Sequence, residues 1–161
     1  MKGFSTRALR IVDELNKCGI TYIAYQPDIK SREIYDIISG EKKITLIPVC
    51  REGEAFAIAA GLITGGKKAA VAIQNTGLLE SGDSLCGLIQ GFKIPLLILV
   101  SYRGWMRDEP MIDSQAIHLE PTLRAWGIKY FLIETDEDTD RISLAFSESQ
   151  KVSEPIAILL T

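Results

Sequence analysis

The sequence predicts an α/β fold: a single doubly wound, mainly parallel sheet of about six strands with helices on both faces. Six short apolar runs rich in β-branched residues recur along the 161-residue chain, and helical patterns lie between them. Some runs are apolar throughout, such as Leu-Leu-Ile-Leu-Val at residues 96–100. Strands of this kind are buried on both faces, as a parallel sheet covered by helices on each side requires.

The predicted elements alternate between strand and helix. The predicted strands occupy residues 21–25, 45–49, 69–73, 95–101, 129–133 and 155–160. The predicted helices occupy residues 6–17, 31–39, 53–64, 81–92, 121–126 and 138–152. A chain of 161 residues has the size of one ordinary domain, so we expect one domain with one core over residues 1–161.

The predicted helix at residues 53–64 is unusual because its residues 55–63 are apolar around the whole circumference. A helix of this kind is buried on every side. In a single domain, one face would pack on the sheet and the other would meet another subunit. We therefore expect the chain to associate.

The composition excludes several classes of function. The net charge of −3, from 18 Lys and Arg against 21 Asp and Glu, offers no basic surface for nucleic acid. The longest apolar run, residues 94–100, contains Pro95 and is much shorter than the roughly 20 residues of a membrane helix. The N-terminal segment lacks the apolar stretch of a secretion signal. We expect a cytoplasmic protein that binds neither nucleic acid nor membrane.

The cysteine and histidine residues do not form a metal-binding pattern. Cys18, Cys50 and Cys86 are widely spaced and include no C-x-x-C pair. This arrangement favours reduced, buried thiols over disulfides or a zinc site. The chain has a single histidine, His118, so we expect no metal site made by this chain alone.

Polar or glycine-containing segments follow four of the predicted strands, at residues 26–28, 50–53, 74–77 and 102–105. In open parallel sheets, ligands bind beyond the carboxyl ends of the strands, where the connections diverge to opposite faces. This edge of the sheet is therefore the predicted location of a functional site.

An ordered set of segments carries a family resemblance. They are Pro-Val-Cys-Arg-Glu-Gly-Glu-Ala at 48–55, Ala-Ala-Gly at 59–61, Gln-Asn-Thr-Gly-Leu at 74–78, Ile-Pro-Leu-Leu-Ile-Leu-Val-Ser-Tyr-Arg-Gly at 94–104 and Asp-Glu-Pro at 108–110. The set resembles the pyrimidine-binding domain of sulfopyruvate and phosphonopyruvate decarboxylases over nearly the whole chain. The resemblance implies thiamine diphosphate as cofactor and a flavodoxin-like sheet.

The resemblance also implies a partner chain. Enzymes of this kind hold the cofactor diphosphate and Mg²⁺ with a Gly-Asp-Gly segment followed by Asn, which this sequence lacks. We expect a β subunit to supply that domain, in a hetero-oligomer with paired α chains. The sequence stops at Thr161, after its last predicted strand. This favours a split enzyme, an arrangement common among sulfopyruvate decarboxylases.

The resemblance assigns roles to individual residues. Glu52 matches the glutamate that hydrogen-bonds to the cofactor aminopyrimidine and promotes loss of the thiazolium proton; its rival is Glu54. A carboxylate near the start of a helix is also explained by the helix dipole alone. The expected cofactor contacts are Glu52, Gln74, Asn75 and Gly77, although 74–77 is equally explained as a turn chosen for its conformation.

The expected substrate is a small anionic 2-oxo acid, for which guanidinium groups are suitable partners. Arg51 and Arg103 are the candidates by position, with His118 and Arg107 as weaker ones, and the segment 104–110 is a candidate cover over the site. The expected reaction converts sulfopyruvate to sulfoacetaldehyde and CO₂, in coenzyme M biosynthesis or sulfonate breakdown. The alternatives are a decarboxylase of phosphonopyruvate or another 3-substituted pyruvate, and a non-catalytic relative that binds a partner.

Overall fold

A computed structural model describes residues 3–106, 113 and 115–161 of the chain. Its six strands form one sheet. In chain order they are β1 Tyr22–Tyr25, β2 Thr45–Pro48, β3 Ala69–Gln74, β4 Leu97–Ser101, β5 Lys129–Ile133 and β6 Ile156–Leu160. Their order across the sheet is β2-β1-β3-β4-β6-β5, and every neighbouring pair is parallel. The predicted doubly wound parallel sheet is confirmed.

The helices cover both faces of this sheet. They are α1 Thr6–Lys17, α2 Arg32–Glu41, α3 Glu52–Thr64, α4 Asn75–Glu80, α5 Ala116–Ala125 and α6 Arg141–Val152, with a π-helix at Ser84–Gln90 and a 3₁₀-helix at Glu137–Asp140. Helices α1, α2 and α6 pack on one face, and α3, α4, the π-helix and α5 pack on the other. In β3, Val71 is buried on the second face and Ala70 on the first, which explains why this strand is apolar throughout.

Local sequence explains where α1 begins and ends. The Ser5 hydroxyl accepts a hydrogen bond from the amide of Ala8 at 3.3 Å, which caps the amino end of the helix. The carboxyl end has Lys17 in its last turn, followed by Gly19 with a φ of +70°. Glycine adopts that conformation without the steric cost that other residues pay.

Two predicted helices were wrong in their bounds. Instead of one helix at 81–92, α4 begins directly after β3 and the π-helix follows it. Apolar periodicity does not distinguish the wider turns of a π-helix from α-helical turns. The helix expected to start at Pro121 begins at Ala116 and contains the proline. Pro121 and Ile117 are both exposed, so water can bond the Ile117 carbonyl that the missing proline amide leaves open.

The prediction of three buried thiols was also wrong. Cys18 is buried, but Cys50 is exposed and Cys86 is partly exposed. Cys50 lies in the connection after β2, at the surface, where a side chain has no core to enter. None of the three forms a disulfide in the described part of the chain.

Helix α3 is buried along one side only. Ala55, Phe56, Ala59 and Ala60 pack into the core beneath it. The opposite side presents small and apolar groups to the surface, namely Ala57, Ile58, Gly61 and Leu62, of which Ala57 and Gly61 are exposed. We call these four residues the outer face of α3. Within the described residues, no helix is long and apolar enough to cross a membrane.

Candidate functional site at the carboxyl edge of the sheet

Glu52 is the first residue of α3 and lies against α4, the helix that follows β3. A side-chain carbon at Gly77 would overlap Cγ and the carboxyl group of Glu52. Gly77 is therefore required by the close approach of Glu52, and not by a turn, since the residue is helical. The Glu52 carboxylate is partly exposed and receives no hydrogen bond or ion pair from any described residue.

Glu54, the rival of Glu52, has a structural role. Its carboxylate accepts hydrogen bonds from the amides of Cys50 at 3.2 Å and Arg51 at 3.3 Å. These contacts hold the loop that enters α3 and satisfy amides near its amino end, as a capping carboxylate does. Glu54 therefore fills the role at the start of the helix that was the alternative explanation for Glu52. The Glu52 carboxylate remains available to bind a ligand.

The segment after β3 continues directly into α4, where a turn was expected. Gln74 ends β3, and its side-chain oxygen accepts a hydrogen bond from the Thr76 hydroxyl at 3.3 Å. Asn75 is fully buried, and its amide nitrogen donates to the carbonyl of Arg103 at 3.1 Å. The Asn75 side-chain oxygen has no hydrogen-bond partner in the part of the chain that the structure describes. An unpaired buried acceptor costs about 1–3 kcal/mol, so this oxygen is a candidate to meet a donor from outside the chain.

Arg103 follows β4 and lies at the same edge of the sheet, where its main-chain carbonyl accepts the hydrogen bond from Asn75. Its side chain is half exposed, and Nε donates to Asp113 at 2.8 Å. The amide of Gln115 and the Arg103 guanidinium together hold the pKa of Asp113 below its ordinary value, although partial burial opposes them. The Asp113 partner could not be predicted from the sequence, because nothing in the spacing pairs the two residues.

Arg51 and His118 lie at the same edge, and among the described residues neither side chain forms a hydrogen bond or ion pair with Glu52. Arg51 is exposed and forms an ion pair with Glu80 at the end of α4. It lines an open cavity of about 200 Å³ together with Glu54 and Ser84. His118 is exposed in the first turn of α5. Neither residue therefore has a geometrically defined role toward Glu52.

Two expectations fall wholly or partly outside the described residues. Arg107 lies outside them, and of the candidate cover at 104–110 only Gly104, Trp105 and Met106 are described. Within the described residues, no group of three or more His, Cys, Asp or Glu side chains could hold a metal ion. Among the described residues, the carboxyl edge thus combines the unpaired carboxylate of Glu52 and the buried, unpaired side-chain oxygen of Asn75 with two arginines that are paired with carboxylates.

Comparison with known sequences points to one family of enzymes. Residues 6–110 match the thiamine pyrophosphate enzyme family, specifically its N-terminal TPP binding domain. The α subunit of sulfopyruvate decarboxylase from Methanocaldococcus jannaschii is 32% identical, over 94% of this chain and 91% of that subunit. The phosphonopyruvate decarboxylase of Streptomyces viridochromogenes is 30% identical over 87% of this chain, but the match spans only 35% of that enzyme.

A solved structure supports the fold independently. Benzoylformate decarboxylase from Polynucleobacter necessarius superposes with a TM-score of 0.78, covering 96% of this chain and 29% of that one. The sequence identity is 20%, so the likeness concerns the fold alone.

Proposed function

The chain belongs to the thiamine pyrophosphate enzymes, among the relatives of sulfopyruvate decarboxylase α subunits, and from this premise we propose that it decarboxylates sulfopyruvate to sulfoacetaldehyde with a partner chain. The observation that carries the proposal is the contact between Glu52 and Gly77. This contact holds a carboxylate that has no partner among the described residues at the edge of the sheet where ligands of this fold bind.

The side chains at this edge fit thiamine diphosphate. The aminopyrimidine ring of that cofactor offers N–H donors and ring-nitrogen acceptors, and the described edge offers complementary groups. The Asn75 oxygen is an acceptor without a donor among the described residues, and the absence of a side chain at Gly77 leaves room for the Glu52 carboxylate against α4. We propose that Glu52, Gln74, Asn75 and Gly77 hold the pyrimidine end of the cofactor.

The proposed role of Glu52 is acid–base chemistry. When bound, thiamine diphosphate supplies the electron sink that a 2-oxo acid needs in order to lose CO₂. A carboxyl oxygen of Glu52 holds the proton that it shares with a ring nitrogen, and positioned groups of this kind typically contribute about 10²–10⁴ in rate. Because Glu54 already satisfies the amides at the start of α3, this proton transfer does not compete with capping.

Arg103 and Arg51 are the proposed substrate contacts. Arg103 contacts Asp113 through Nε alone among described residues, which leaves its terminal nitrogens for a sulfonate or carboxylate group. Arg51 is paired with Glu80 and would exchange that carboxylate for the substrate. His118, exposed in the first turn of α5, remains a third candidate.

We propose that a β subunit completes the site. Relatives of this chain are named α subunits, and this sequence contains no Gly-Asp-Gly segment followed by Asn to hold Mg²⁺ and the diphosphate. The outer face of α3 offers an apolar surface beside Glu52 for association, either with the β subunit or with a second α chain. We expect the assembly to act in the cytoplasm, in coenzyme M biosynthesis or sulfonate breakdown.

The test is reconstitution with a chain that carries the Gly-Asp-Gly and Asn motif. We expect CO₂ release from sulfopyruvate only when both chains, thiamine diphosphate and Mg²⁺ are present. Glu52→Gln should lower kcat at least about 100-fold. Glu54→Gln is the matched control, because it removes the same charge two residues away and should retain activity. Turnover by this chain alone would contradict the two-chain proposal, and near-normal kcat of Glu52→Gln would contradict the role of Glu52.

A second candidate substrate is phosphonopyruvate, since a phosphonopyruvate decarboxylase is 30% identical to this chain. Both acids are dianions built on pyruvate, so arginine contacts alone do not separate them. The ratio of kcat/KM for the two acids, measured on one reconstituted preparation, decides between them. A preparation that binds the β chain but turns over neither acid would favour the non-catalytic alternative.

A further inference from the structure

A second cavity lies on the opposite face of the sheet from α3 and α4. Its volume is about 240 Å³, with walls from α1 and the start of α2 and a base at the ends of β4 and β6. Apolar side chains line it together with Lys30 and Arg7. The proposed cofactor site uses none of these residues.

Lys30 lacks an anionic partner in this cavity. Its ammonium donates to the carbonyl of Tyr102 at 3.0 Å, and no described carboxylate lies within ion-pair distance. Burial lowers the pKa of Lys30, an effect that Asp28 opposes and the charge of Arg7 reinforces. An ammonium group has three donors, so two remain without a partner among the described residues, and because Lys30 is exposed overall a ligand can reach them.

Arg7 fixes a second positive charge on the cavity wall. Its guanidinium donates to the carbonyl of Glu134 at 2.7 Å, to the main-chain oxygen of Thr161 at 3.2 Å and to the carboxylate of Asp136 at 3.3 Å. These contacts hold the group in place, and a guanidinium has five donors in all. Two of its donors are therefore also available to a ligand.

The other polar groups of the cavity are already occupied. The Ser31 and Ser101 hydroxyls bond to each other at 2.5 Å, and the Ser101 hydroxyl also donates to Asp28. Glu33 lines the cavity too, but it is exposed and accepts from the amide and hydroxyl of Ser5 at 3.3 and 2.6 Å. The unused hydrogen-bonding capacity of the cavity is thus that of Lys30 and Arg7, while Glu33, the one acidic side chain that lines it, is engaged with Ser5.

We propose that this cavity binds a small anion carrying a sulfonate, phosphate or sulfate group between Lys30 and Arg7. The volume accommodates an inorganic oxyanion or a three-carbon acid bearing one such group. Because Lys30 also bonds to Tyr102, which precedes Arg103, the bound anion contacts a residue that supports the end of β4. The cavity lies on the other face of the sheet from the proposed cofactor contacts, shares no residue with them and does not depend on the proposed reaction.

Titration calorimetry of the full chain at low ionic strength tests the proposal with sulfate, phosphate and sulfopyruvate as separate probes. Lys30→Met should weaken binding about tenfold or more, since charge-assisted hydrogen bonds are lost. Glu33→Gln should strengthen binding, because it removes the carboxylate that repels the anion. Lys151→Met is the control: it removes the same charge from an exposed residue at the far end of α6.

Each outcome bears on the proposal. Tighter binding of sulfopyruvate than of sulfate supports a site for the organic acid. This comparison rests on the proposed function, because sulfopyruvate is the proposed substrate. Equal binding supports a site for inorganic oxyanions. If no probe binds at millimolar concentration, or if Lys30→Met and Lys151→Met weaken binding equally, the proposal is overturned. Thermal unfolding of each variant checks that the chain is folded, and Glu33→Gln gives a gain of binding that misfolding cannot produce.

Discussion

Replacing Gly77 with alanine tests the proposed function at the contact on which it rests. The added methyl group would overlap the Glu52 side chain, so the carboxylate has to leave its position beside α4. Glu52 is partly exposed and flexible, and it can turn toward solvent without moving the backbone. The substitution therefore displaces the carboxylate without removing it.

The expected change in stability is small because two effects oppose each other. Alanine is better than glycine inside a helix by about 1 kcal/mol, and Gly77 lies in α4. Forcing a side chain into occupied space costs about 1–3 kcal/mol. The free energy of unfolding should therefore change by no more than about 2 kcal/mol. Activity should fall by about 100-fold, close to the effect of Glu52→Gln.

The assay combines thermal unfolding of the chain with kcat of the reconstituted complex. Gly40→Ala is the matched control, because Gly40 is also helical but a side chain there would meet open space. It should raise stability slightly and leave kcat unchanged. If Gly77→Ala retains full activity while remaining folded, the position of Glu52 against α4 is not required, and the reasoning fails.

Three further predictions concern the surroundings of the site. Asn75→Ala should lower the free energy of unfolding by about 1–3 kcal/mol, measured by denaturant titration, because the lost bond to the Arg103 carbonyl and the gap left in the interior outweigh the removal of the unpaired oxygen; an unchanged midpoint would contradict this. Asp113 has a lowered pKa, so its contribution to stability is complete above its ordinary pKa of 3.8 and is lost as the pH falls through the lower folded-state value. Asp113→Asn should therefore lose less stability than the wild type between pH 5 and pH 2, and parallel losses would refute the assignment. Ala57→Glu places a charge on the outer face of α3 and should weaken association in sedimentation, whereas Ser147→Glu, exposed on α6, should not.

The sheet could be predicted from the sequence because each strand is a short apolar run bounded by polar residues. β5 was predicted with the observed bounds, and α1 likewise. Both have strong local signals that tertiary contacts do not override. The location of the candidate site at the carboxyl edge could be predicted from the order of strands and helices, because parallel strands end on the same side of the sheet.

Other features depend on contacts that a sequence does not display. Gly77 was explained as part of a turn, whereas the structure places it in a helix and shows that the side chain of Glu52 needs the space. The helix predicted at 121–126 begins five residues earlier, at Ala116, and contains Pro121 in its interior. The partners of Arg51 and Arg103 are carboxylates from other parts of the chain, so residue spacing gave no indication of them.

The direct junction between β3 and α4 restricts how the chain can vary. Gln74 ends the strand and Asn75 begins the helix, with no connecting residue between them. One inserted residue at this junction would turn α4 by about 100° relative to the strand, because a helix has 3.6 residues per turn. A different side chain would then face Glu52. Length variation in this protein should therefore be tolerated in the connections at the opposite edge of the sheet but not at this junction.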